Sequence, residues 1–235
     1  MLSLDTVIPV YNEEHALPAS IDTLVAFMRE RMANYRWSIV IADNASTDGT
    51  LQVAKELAAK YPEVRWLHLD LKGRGRALRA AWSASHADIV TYMDVDLSTG
   101  LEAYPALVGA IAQGYDLATG SRLMISSETT RSFKRETLSR GYNLIIKASF
   151  QVPFSDAQCG FKALSQRAVR ELVPLVQNQE WFFDTELLIL AIQKGYRIKD
   201  IPVRWVEDTD SRVNIVKTVA EDLRGLLRMR FNPVP

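Results

Sequence analysis

A strand is predicted at Leu4-Asp5-Thr6-Val7-Ile8-Pro9-Val10, a short run that is rich in β-branched and apolar residues. Three similar runs follow it, and a helical stretch separates each run from the next. Strands that alternate with helices of this length imply βαβ crossovers, and therefore an α/β fold with a mostly parallel sheet. The predicted strands are Leu4–Val10, Ser38–Ala42, Val64–Leu69 and Ile89–Met93, and the helices lie near Glu13–Asn34, Asp48–Tyr61 and Arg74–His86.

The second half of the chain is less regular. An apolar stretch that ends at Gly195 predicts a buried helix, because glycine often follows the last residue of a helix. We find no internal repeat or linker, so we predict one domain over residues 1–210 and an amphipathic C-terminal helix within residues 211–235. The further predicted elements are strands at Asp116–Ser121 and Ile198–Trp205, and helices at Ser132–Phe150, Thr185–Lys194 and Ile215–Phe231.

The composition is that of a globular protein without a bias toward nucleic acid. Hydrophobic residues make up 48% of the 235 residues, which is too apolar for a disordered chain. Lys plus Arg equals Asp plus Glu at 28 each, so no nucleic-acid partner is expected. The segment from Arg122 to Lys147 nevertheless holds six basic and two acidic residues, which favours a surface that meets an anion.

The sequence also bears on localisation. Cys159 is the only cysteine, so no disulfide forms within the chain and a reducing compartment is expected. No apolar run approaches the ~18 residues of a membrane span, and the N-terminus has no basic region typical of a signal peptide. We therefore expect a cytoplasmic protein whose contact with the membrane is peripheral, at its cytoplasmic face.

Polar residues follow the predicted strands where ligands bind in parallel sheets, outside the carboxyl ends. Asp94-Val95-Asp96 comes directly after the strand Ile89–Met93, and two carboxylates at this spacing suit Mg²⁺ or Mn²⁺. A turn in which one of these aspartates caps the next helix explains the same residues, and the two interpretations stay open on this motif alone. Lys72-Gly73-Arg74-Gly75 after the third strand is compatible with phosphate binding, but it matches neither a P-loop nor a dinucleotide-binding motif.

Several blocks together closely resemble the ordered motifs of family-2 glycosyltransferases, and within them the polyprenyl-phosphate branch that includes dolichyl-phosphate glucose and mannose synthases. The resemblance runs from about residue 4 to about residue 215, and the number and order of the blocks make it specific. The blocks are Val7–Glu14, Asp43–Thr50, Lys72–Gly75, Asp94–Asp96, Gly120–Arg122, Lys134–Arg135 with Ser139–Arg140, Asp156–Lys162 and Trp181–Leu187.

The resemblance implies a GT-A fold, a Rossmann-like and mostly parallel sheet with helices on both faces, and a catalytic domain over residues 1–210. It implies metal binding by Asp94 and Asp96, and it makes Asp96 and Asp156 the residues expected to take part in catalysis. The positions expected to bind the nucleotide-sugar are Pro9, Tyr11, Glu13, Asp43, Lys72, Asp94, Val95, Asp96 and Arg212, and those expected to bind the acceptor phosphate are Arg122, Arg135 and Ser139.

Two departures from the family pattern affect the expected donor. Asn44 stands where many relatives have a second aspartate, which alters the expected ribose contacts. Ser98 stands where mannose synthases often have a glutamine near the metal, which favours a glucose-type donor over GDP-mannose. The expected reaction is transfer of a sugar from a nucleoside diphosphate to a polyprenyl phosphate, with inversion.

Two other enzymatic functions and a non-catalytic module that binds nucleotide-sugars are the alternatives. The binding module is disfavoured because the expected metal-binding and phosphate-binding residues are all present. A family-2 transferase with a soluble acceptor needs a catalytic carboxylate, for which Asp184 and Glu186 are the candidates. A nucleotidyltransferase would release pyrophosphate instead. The expected lipid acceptor also predicts that the Ser139–Phe154 region and the Ile215–Phe231 helix, with its arginines, lie on the membrane, and ordinary packing of that helix on the core is the alternative.

Overall fold

The structure is a computed structural model that describes residues 1–130, 133–206 and 215–232, without the side chains of residues 133–135 and 215–217. Nine strands form two sheets within these residues. The strands are β1 (Ser3–Val10), β2 (Arg36–Asn44), β3 (Val64–Leu69), β4 (Ile89–Met93), β5 (Leu117–Ser121), β6 (Glu128–Thr130), β7 (Phe161–Ser165), β8 (Ile198–Pro202) and β9 (Arg204–Val206). The helices are α1 (Leu17–Arg31), α2 (Thr50–Lys60), α3 (Arg74–Ser83), α4 (Tyr104–Ala112), α5 (Phe133–Phe150), α6 (Gln166–Leu172), α7 (Phe183–Gln193) and α8 (Ile215–Phe231).

The predicted mostly parallel sheet is confirmed. Seven strands pair in the order β3-β2-β1-β4-β7-β5-β8, and β6 pairs with β9 in a small second sheet. Every pairing in the large sheet is parallel except those of β7, which runs antiparallel to both of its neighbours. The connections through α1, α2 and α3 are the crossovers that parallel neighbours require.

Successive side chains of the central strands enter two hydrophobic cores, one on each face of the sheet. Val7 of β1 and Val90 of β4 lie in the core that α3, α6 and α7 cover. Leu4 and Ile89, on the same two strands, lie in the core that α1 and α4 cover. Both faces are buried, which explains why these strands read as continuous apolar runs.

The structure adds four elements that the sequence did not predict and divides one that it did. The four are α4, β6, β7 and α6. Ile198–Trp205 is two strands, because the chain leaves the large sheet at Val203 and pairs again in the small one. β7 was missed because Lys162 interrupts its apolar residues, and yet this lysine is fully buried. Ser165 ends β7 and caps α6 by accepting a hydrogen bond from the Ala168 amide at 3.2 Å.

Helix α8 has two apolar faces instead of the single stripe that its sequence predicts. Leu226 and Met229 are buried against the domain, whereas Leu223 and Leu227 are 43% and 58% exposed. Helix α5 also has both buried and exposed apolar side chains, and Ile146 is one of the buried ones. None of the helices in the described ranges is both long and apolar enough to cross a membrane.

Candidate active site

The carboxyl ends of β1, β2, β3 and β4 meet at one edge of the sheet, and the loops that follow them are tightly constrained. Asn12, Ala45 and Leu97 follow β1, β2 and β4 closely, and each has a positive φ of 50–61° although none is glycine. Such backbone conformations are costly for residues with a Cβ, and they are concentrated at functional sites. The strain thus marks the edge at which the sequence predicts a ligand.

The loops after β1 and β2 are hydrogen-bonded to each other. The Asn12 amide donates to Ser46 Oγ at 2.9 Å, and the Thr47 amide donates to Asn12 Oδ1 at 2.8 Å. One residue further on, the Glu13 amide donates to Thr50 Oγ1 at 2.8 Å. The predicted nucleoside residues Pro9, Tyr11, Glu13 and Asp43 therefore lie on one pair of connected strands and loops.

Asp43 is fully buried and already has partners. Its Oδ2 lies 2.5 Å from His68 Nδ1, and its Oδ1 accepts a weaker hydrogen bond of 3.3 Å from the Ser46 amide. No role for His68 was predicted. The strand register could have predicted this contact, since Asp43 and His68 are paired residues on the neighbouring strands β2 and β3.

The Lys72–Gly75 loop is attached to the same edge through Asn44. Asn44 Oδ1 accepts a hydrogen bond of 2.7 Å from the Gly73 amide, so this departure from the family's aspartate has a structural partner. A Cβ on Gly73 would lie 2.6 Å from the Gln179 carbonyl oxygen, which explains the glycine. Lys72 Nζ lies 3.4 Å from the centroid of the Tyr11 ring, and this contact joins two of the predicted nucleotide-binding residues.

Asp94, at the end of β4, is held between an arginine and a glycine. Arg74 Nη2 donates to Asp94 Oδ1 at 2.9 Å, and a Cβ on Gly160 would overlap the other carboxylate oxygen. The Asp94 side chain is 45% exposed, whereas that of Arg74 is 10% exposed. Asp94 is thus a fixed carboxylate with one side open to solvent.

A buried network behind Asp94 was not predicted. Asp184 Oδ2 accepts a hydrogen bond of 2.5 Å from Arg74 Nη1, and its Oδ1 lies 2.5 Å from the Tyr92 hydroxyl and 3.1 Å from Lys162 Nζ. Burial acts to raise the pKa of Asp184, but Lys162 and Arg74 together hold that pKa below its ordinary value. Asp184 therefore stays ionised as the centre of this network and does not cap α7 with its side chain.

Asp156 and Arg122 form a two-point ion pair. Arg122 Nε donates to Asp156 Oδ2 at 2.7 Å, and Nη2 donates to Oδ1 at 3.0 Å. Burial acts to raise the pKa of Asp156, but the Arg122 guanidinium outweighs it and keeps that pKa below its ordinary value. The guanidinium carbon of Arg122 lies 5.5 Å from the centroid of the Trp205 ring. A carboxylate paired in this way is a weak base, so its contribution is to orient Arg122.

The donor set at the end of β4 fits a divalent cation that also binds a diphosphate. Asp96 is exposed two residues beyond Asp94, and the Ser98 amide donates to its Oδ1 at 2.9 Å. Val95, between them, is nearly buried. Among the described residues no group of three or more His, Cys, Asp or Glu side chains is placed to hold a metal. Two carboxylates leave most positions of a hard cation to phosphate and water oxygens.

The structure describes only some of the side chains that are predicted to bind the acceptor phosphate. Arg135 lies in α5, but its side chain is outside the described residues. Arg212, which is expected to bind the nucleotide-sugar, lies entirely outside them. Ser139 Oγ is buried and has no hydrogen-bond partner among the described residues. One turn later, Asn143 Oδ1 accepts a hydrogen bond of 2.9 Å from the Ala157 amide, which places this part of α5 beside the segment that carries Asp156.

Glu186, the other candidate for a catalytic carboxylate, is a structural residue. It is fully buried and accepts hydrogen bonds of 3.0 and 2.9 Å from the amides of Gln177 and Asn178. Its Oε2 also lies 2.8 Å from Arg228 Nη2 of α8. Glu186 thus connects a loop and α8 to the domain.

Comparison with known proteins identifies the relatives of the chain. The model of Glycosyl transferase family 2 matches residues 5–173. The glycosyltransferase AglD of Haloferax volcanii is 33% identical over 220 residues, which are 93% of this chain and 35% of that protein. A dolichyl-phosphate beta-glucosyltransferase of Saccharomyces cerevisiae is 30% identical over 248 residues, which span 97% of this chain and 74% of the relative. The chain covers 65% of a Trichomonas vaginalis protein of the same description, so it spans only part of its relatives.

Solved structures share the fold. Glucosyl-3-phosphoglycerate synthase from Mycobacterium tuberculosis, crystallised with Mn²⁺, UDP and phosphoglyceric acid, superposes with a TM-score of 0.74. The match covers all of this chain and 80% of that chain at 18% sequence identity. At this identity the likeness supports the architecture alone.

Proposed function

Since the chain belongs to glycosyl transferase family 2 and has the GT-A fold, we propose that it transfers a sugar from a nucleoside diphosphate to the phosphate of a polyprenyl lipid. UDP-glucose is the favoured donor type. The dolichyl-phosphate beta-glucosyltransferases among the relatives support both the lipid acceptor and a glucosyl donor. Ser98, in place of the glutamine expected of mannose synthases, supports the same donor.

One observation carries the proposal: a half-exposed carboxylate, Asp94, is fixed at the carboxyl end of a central strand between Arg74 and Gly160. The loops of Tyr11, Asp43 and Lys72 lie at the same sheet edge. A nucleoside bound at these loops would direct its diphosphate toward Asp94 and Asp96. Mg²⁺ or Mn²⁺ held there would neutralise the charge that develops on the leaving diphosphate.

The acceptor side of the proposed site is centred on Arg122. The planar guanidinium is suited to phosphate, and Asp156 orients it from behind through two hydrogen bonds. Arg135 and Ser139 are one helical turn apart in α5, and we assign them to the same phosphate. The proposed donor site and the proposed acceptor site therefore consist of separate groups of residues.

The reaction follows from these positions. An acceptor phosphate oxygen forms a bond to the anomeric carbon as the bond from that carbon to the diphosphate breaks, and the nucleoside diphosphate leaves. Attack from the opposite face inverts the configuration. A phosphate monoester with a second pKa of ~6 is largely ionised at neutral pH, so no general base is needed. Asp156, the carboxylate that contacts Arg122, is paired with the guanidinium and is therefore not available as a base.

The geometry disfavours a soluble hydroxyl acceptor, because that reaction needs a carboxylate base. Asp184 is 1% exposed and occupied by Arg74, Lys162 and Tyr92. Glu186 is fully buried and binds main-chain amides. Neither of the two candidates can accept a proton from a substrate in this arrangement.

The outward faces of α5 and α8 suit a membrane surface, which is where a polyprenyl phosphate lies. The two helices contact each other. Their exposed apolar side chains are Leu138, Leu144 and Ile145 of α5 and Val219, Leu223, Leu227 and Phe231 of α8. Arg224 and Arg230 of α8 are exposed beside them and can meet anionic headgroups. We propose that this apolar face is the membrane contact and that the protein is peripheral.

Replacement of Leu223 and Leu227 by glutamine tests the proposed membrane contact. The double substitution removes outward apolar surface without touching the buried residues of α8, so binding to anionic phospholipid vesicles should fall severalfold. Trp66→Ser removes a comparably exposed apolar side chain on the edge strand β3 and should leave vesicle binding unchanged. Equal binding of all three proteins in a flotation assay would contradict the assignment.

Incubation of the protein with a panel of UDP- and GDP-sugars and a short polyprenyl phosphate tests the function. Mass spectrometry of the lipid should show the addition of one hexose, with UDP-glucose as the best donor and UDP as the second product. Asp94→Asn keeps the side-chain volume and should be inactive. Release of pyrophosphate would identify a nucleotidyltransferase, and transfer to a soluble acceptor alone would refute the lipid assignment.

A further inference from the structure

Arg74 is held in place independently of Asp94. It is the first residue of α3, and its Nη1 donates to buried Asp184 at 2.5 Å. The guanidinium carbon lies 4.9 Å from the centroid of the Tyr92 ring and 5.0 Å from that of the Trp181 ring. Two aromatic rings and one ion pair therefore fix a positive charge that does not depend on the ligand.

The Arg74 guanidinium is hydrogen-bonded to one carboxylate oxygen of Asp94, which is a proposed metal ligand. Arg74 Nη2 donates to Asp94 Oδ1 at 2.9 Å, and the Gly160 backbone closes off part of the other oxygen. A cation that approaches Asp94 meets a guanidinium already bound to the same carboxylate. Like charges at this separation repel, and the partly buried position of Arg74 limits screening by solvent.

The charges of the network explain which ligand the site favours. Asp94 and Asp184 contribute two negative charges, and Arg74 and Lys162 contribute two positive charges. A free divalent cation adds positive charge beside Arg74, which is unfavourable. A cation that arrives together with a diphosphate brings negative oxygens, and Arg74 attracts these.

We propose that Arg74 is the counter-ion of Asp94 and makes metal loading depend on the nucleotide diphosphate. Arg74 weakens the binding of the free cation and strengthens the binding of the diphosphate. It is thus a positioning residue for Asp94 and a selector for the metal–nucleotide complex over the free metal. The inference rests on the proposed function for the identity of the ligand, and on the described contacts for the role of Arg74.

Arg74→Gln tests the proposal by changing two affinities in opposite directions. Free Mn²⁺ is measured by electron paramagnetic resonance during titration of the protein, first without nucleotide and then with UDP. Loss of a charge-assisted hydrogen bond at a half-exposed carboxylate should tighten free Mn²⁺ binding about tenfold. The same variant should bind UDP less tightly by calorimetry in the absence of metal, so the gain in Mn²⁺ affinity that UDP provides should shrink.

Arg76→Gln is the matched control, because it removes one positive charge from the same helix. Arg76 donates to the Lys72 carbonyl oxygen and has no contact with Asp94. Its free Mn²⁺ affinity should equal that of the wild type, and Asp94→Asn should abolish the binding that is measured. If Arg74→Gln does not fold, as judged by its thermal transition, Arg74→Met, which also leaves Asp184 paired with Lys162, is titrated in its place, with the same tightening expected.

The results separate this inference from the proposed function. Free Mn²⁺ affinity that is unchanged or weaker in the Arg74 variant, or a gain shared with Arg76→Gln, would overturn the counter-ion role. Wild-type protein that binds no UDP with or without Mn²⁺ would instead refute the proposed nucleotide site. Tightened binding of free Mn²⁺ in the Arg74 variant would still support the counter-ion role in that case.

Discussion

Replacement of Arg122 by alanine has a cost to stability that can be worked out from its partner. Asp156 is fully buried, and Arg122 provides two of its hydrogen bonds through the side chain and one of 3.1 Å through the amide. Arg122→Ala leaves a buried carboxylate without its paired counter-charge, and removal of one member of a buried pair costs about 3–5 kcal/mol. For a chain of this length, that cost corresponds to a fall of about 10 °C in the melting temperature.

A neutral replacement of the pair separates stability from function. Arg122→Gln together with Asp156→Asn leaves no unpaired charge, so its free energy of unfolding should return to within about 2 kcal/mol of the wild type. Turnover of polyprenyl phosphate should stay low, by about tenfold to a hundredfold, because the phosphate still lacks the guanidinium. Nucleotide affinity should hardly change, since the proposed donor residues lie on other loops.

Thermal unfolding, calorimetry with UDP and lipid kinetics on the three proteins check this prediction. The reasoning about the buried pair fails if Arg122→Ala melts within 2 °C of the wild type, a loss of about 1 kcal/mol. The assignment of Arg122 to the acceptor fails if the double variant is as stable and as active toward the lipid as the wild type. Loss of UDP affinity as large as the loss of turnover would show that donor and acceptor sites are not separate.

Three further predictions concern other residues. Gly160→Ala places a methyl group against the Asp94 carboxylate and should abolish metal-dependent turnover, whereas Gly141→Ala, where a Cβ meets no atom within 4 Å, should leave turnover unchanged in the same assay. Burial raises the pKa of Asp222 to about 7, so the folded protein binds more protons than the unfolded chain between about pH 4 and pH 7. The free energy of unfolding therefore falls as the pH rises through that range. Asp222→Asn should remove this fall when unfolding by urea is compared at pH 5 and pH 8. A chelator should stop turnover and Mn²⁺ or Mg²⁺ should restore it, while Asp96→Ala should stay inactive with metal present and keep the wild-type circular dichroism spectrum, since its side chain is exposed.

The first half of the fold was predictable because its signals are local. Strands such as Leu4–Val10 and Ile89–Met93 are buried on both faces, so their residue types alone distinguish them from the helices between them. The placement of Asp43 and Asp94 at one edge then follows from the parallel arrangement. This much needs no knowledge of long-range contacts.

The partners of these residues were not predictable, because they come from distant parts of the chain. Arg74 and Asp184 are 110 residues apart, and Arg122 and Asp156 are 34 apart. A pattern in the sequence shows that Asp184 precedes an apolar helix, and capping of that helix explains the residue equally well. Only the packing of α7 against α3 shows that the carboxylate faces a guanidinium instead.

Strand β7, which the sequence did not predict, joins the two halves of the proposed site. Because β7 is antiparallel to β4, its first residue, Phe161, pairs with Met93, the last residue of β4. The segment that leads into β7 therefore arrives at the same sheet edge as the carboxyl ends of the parallel strands. Within seven residues it places Asp156 on Arg122, Gly160 against Asp94 and Lys162 on Asp184.

This arrangement has a consequence for how the two substrates are coupled. Gly160 limits the position of Asp94 on the donor side, and Asp156, four residues earlier in the chain, fixes Arg122 on the acceptor side. The intervening residues are held as well, since Lys162 Nζ donates to the Cys159 carbonyl oxygen at 2.7 Å and the Ala157 amide is bound to α5. A short, fixed segment of this kind keeps the carboxylate of the proposed donor site and the arginine of the proposed acceptor site at a constant separation. In-line attack of a phosphate on an anomeric carbon depends on such a separation, because the reacting atoms must be held close to about 3 Å apart in the correct orientation.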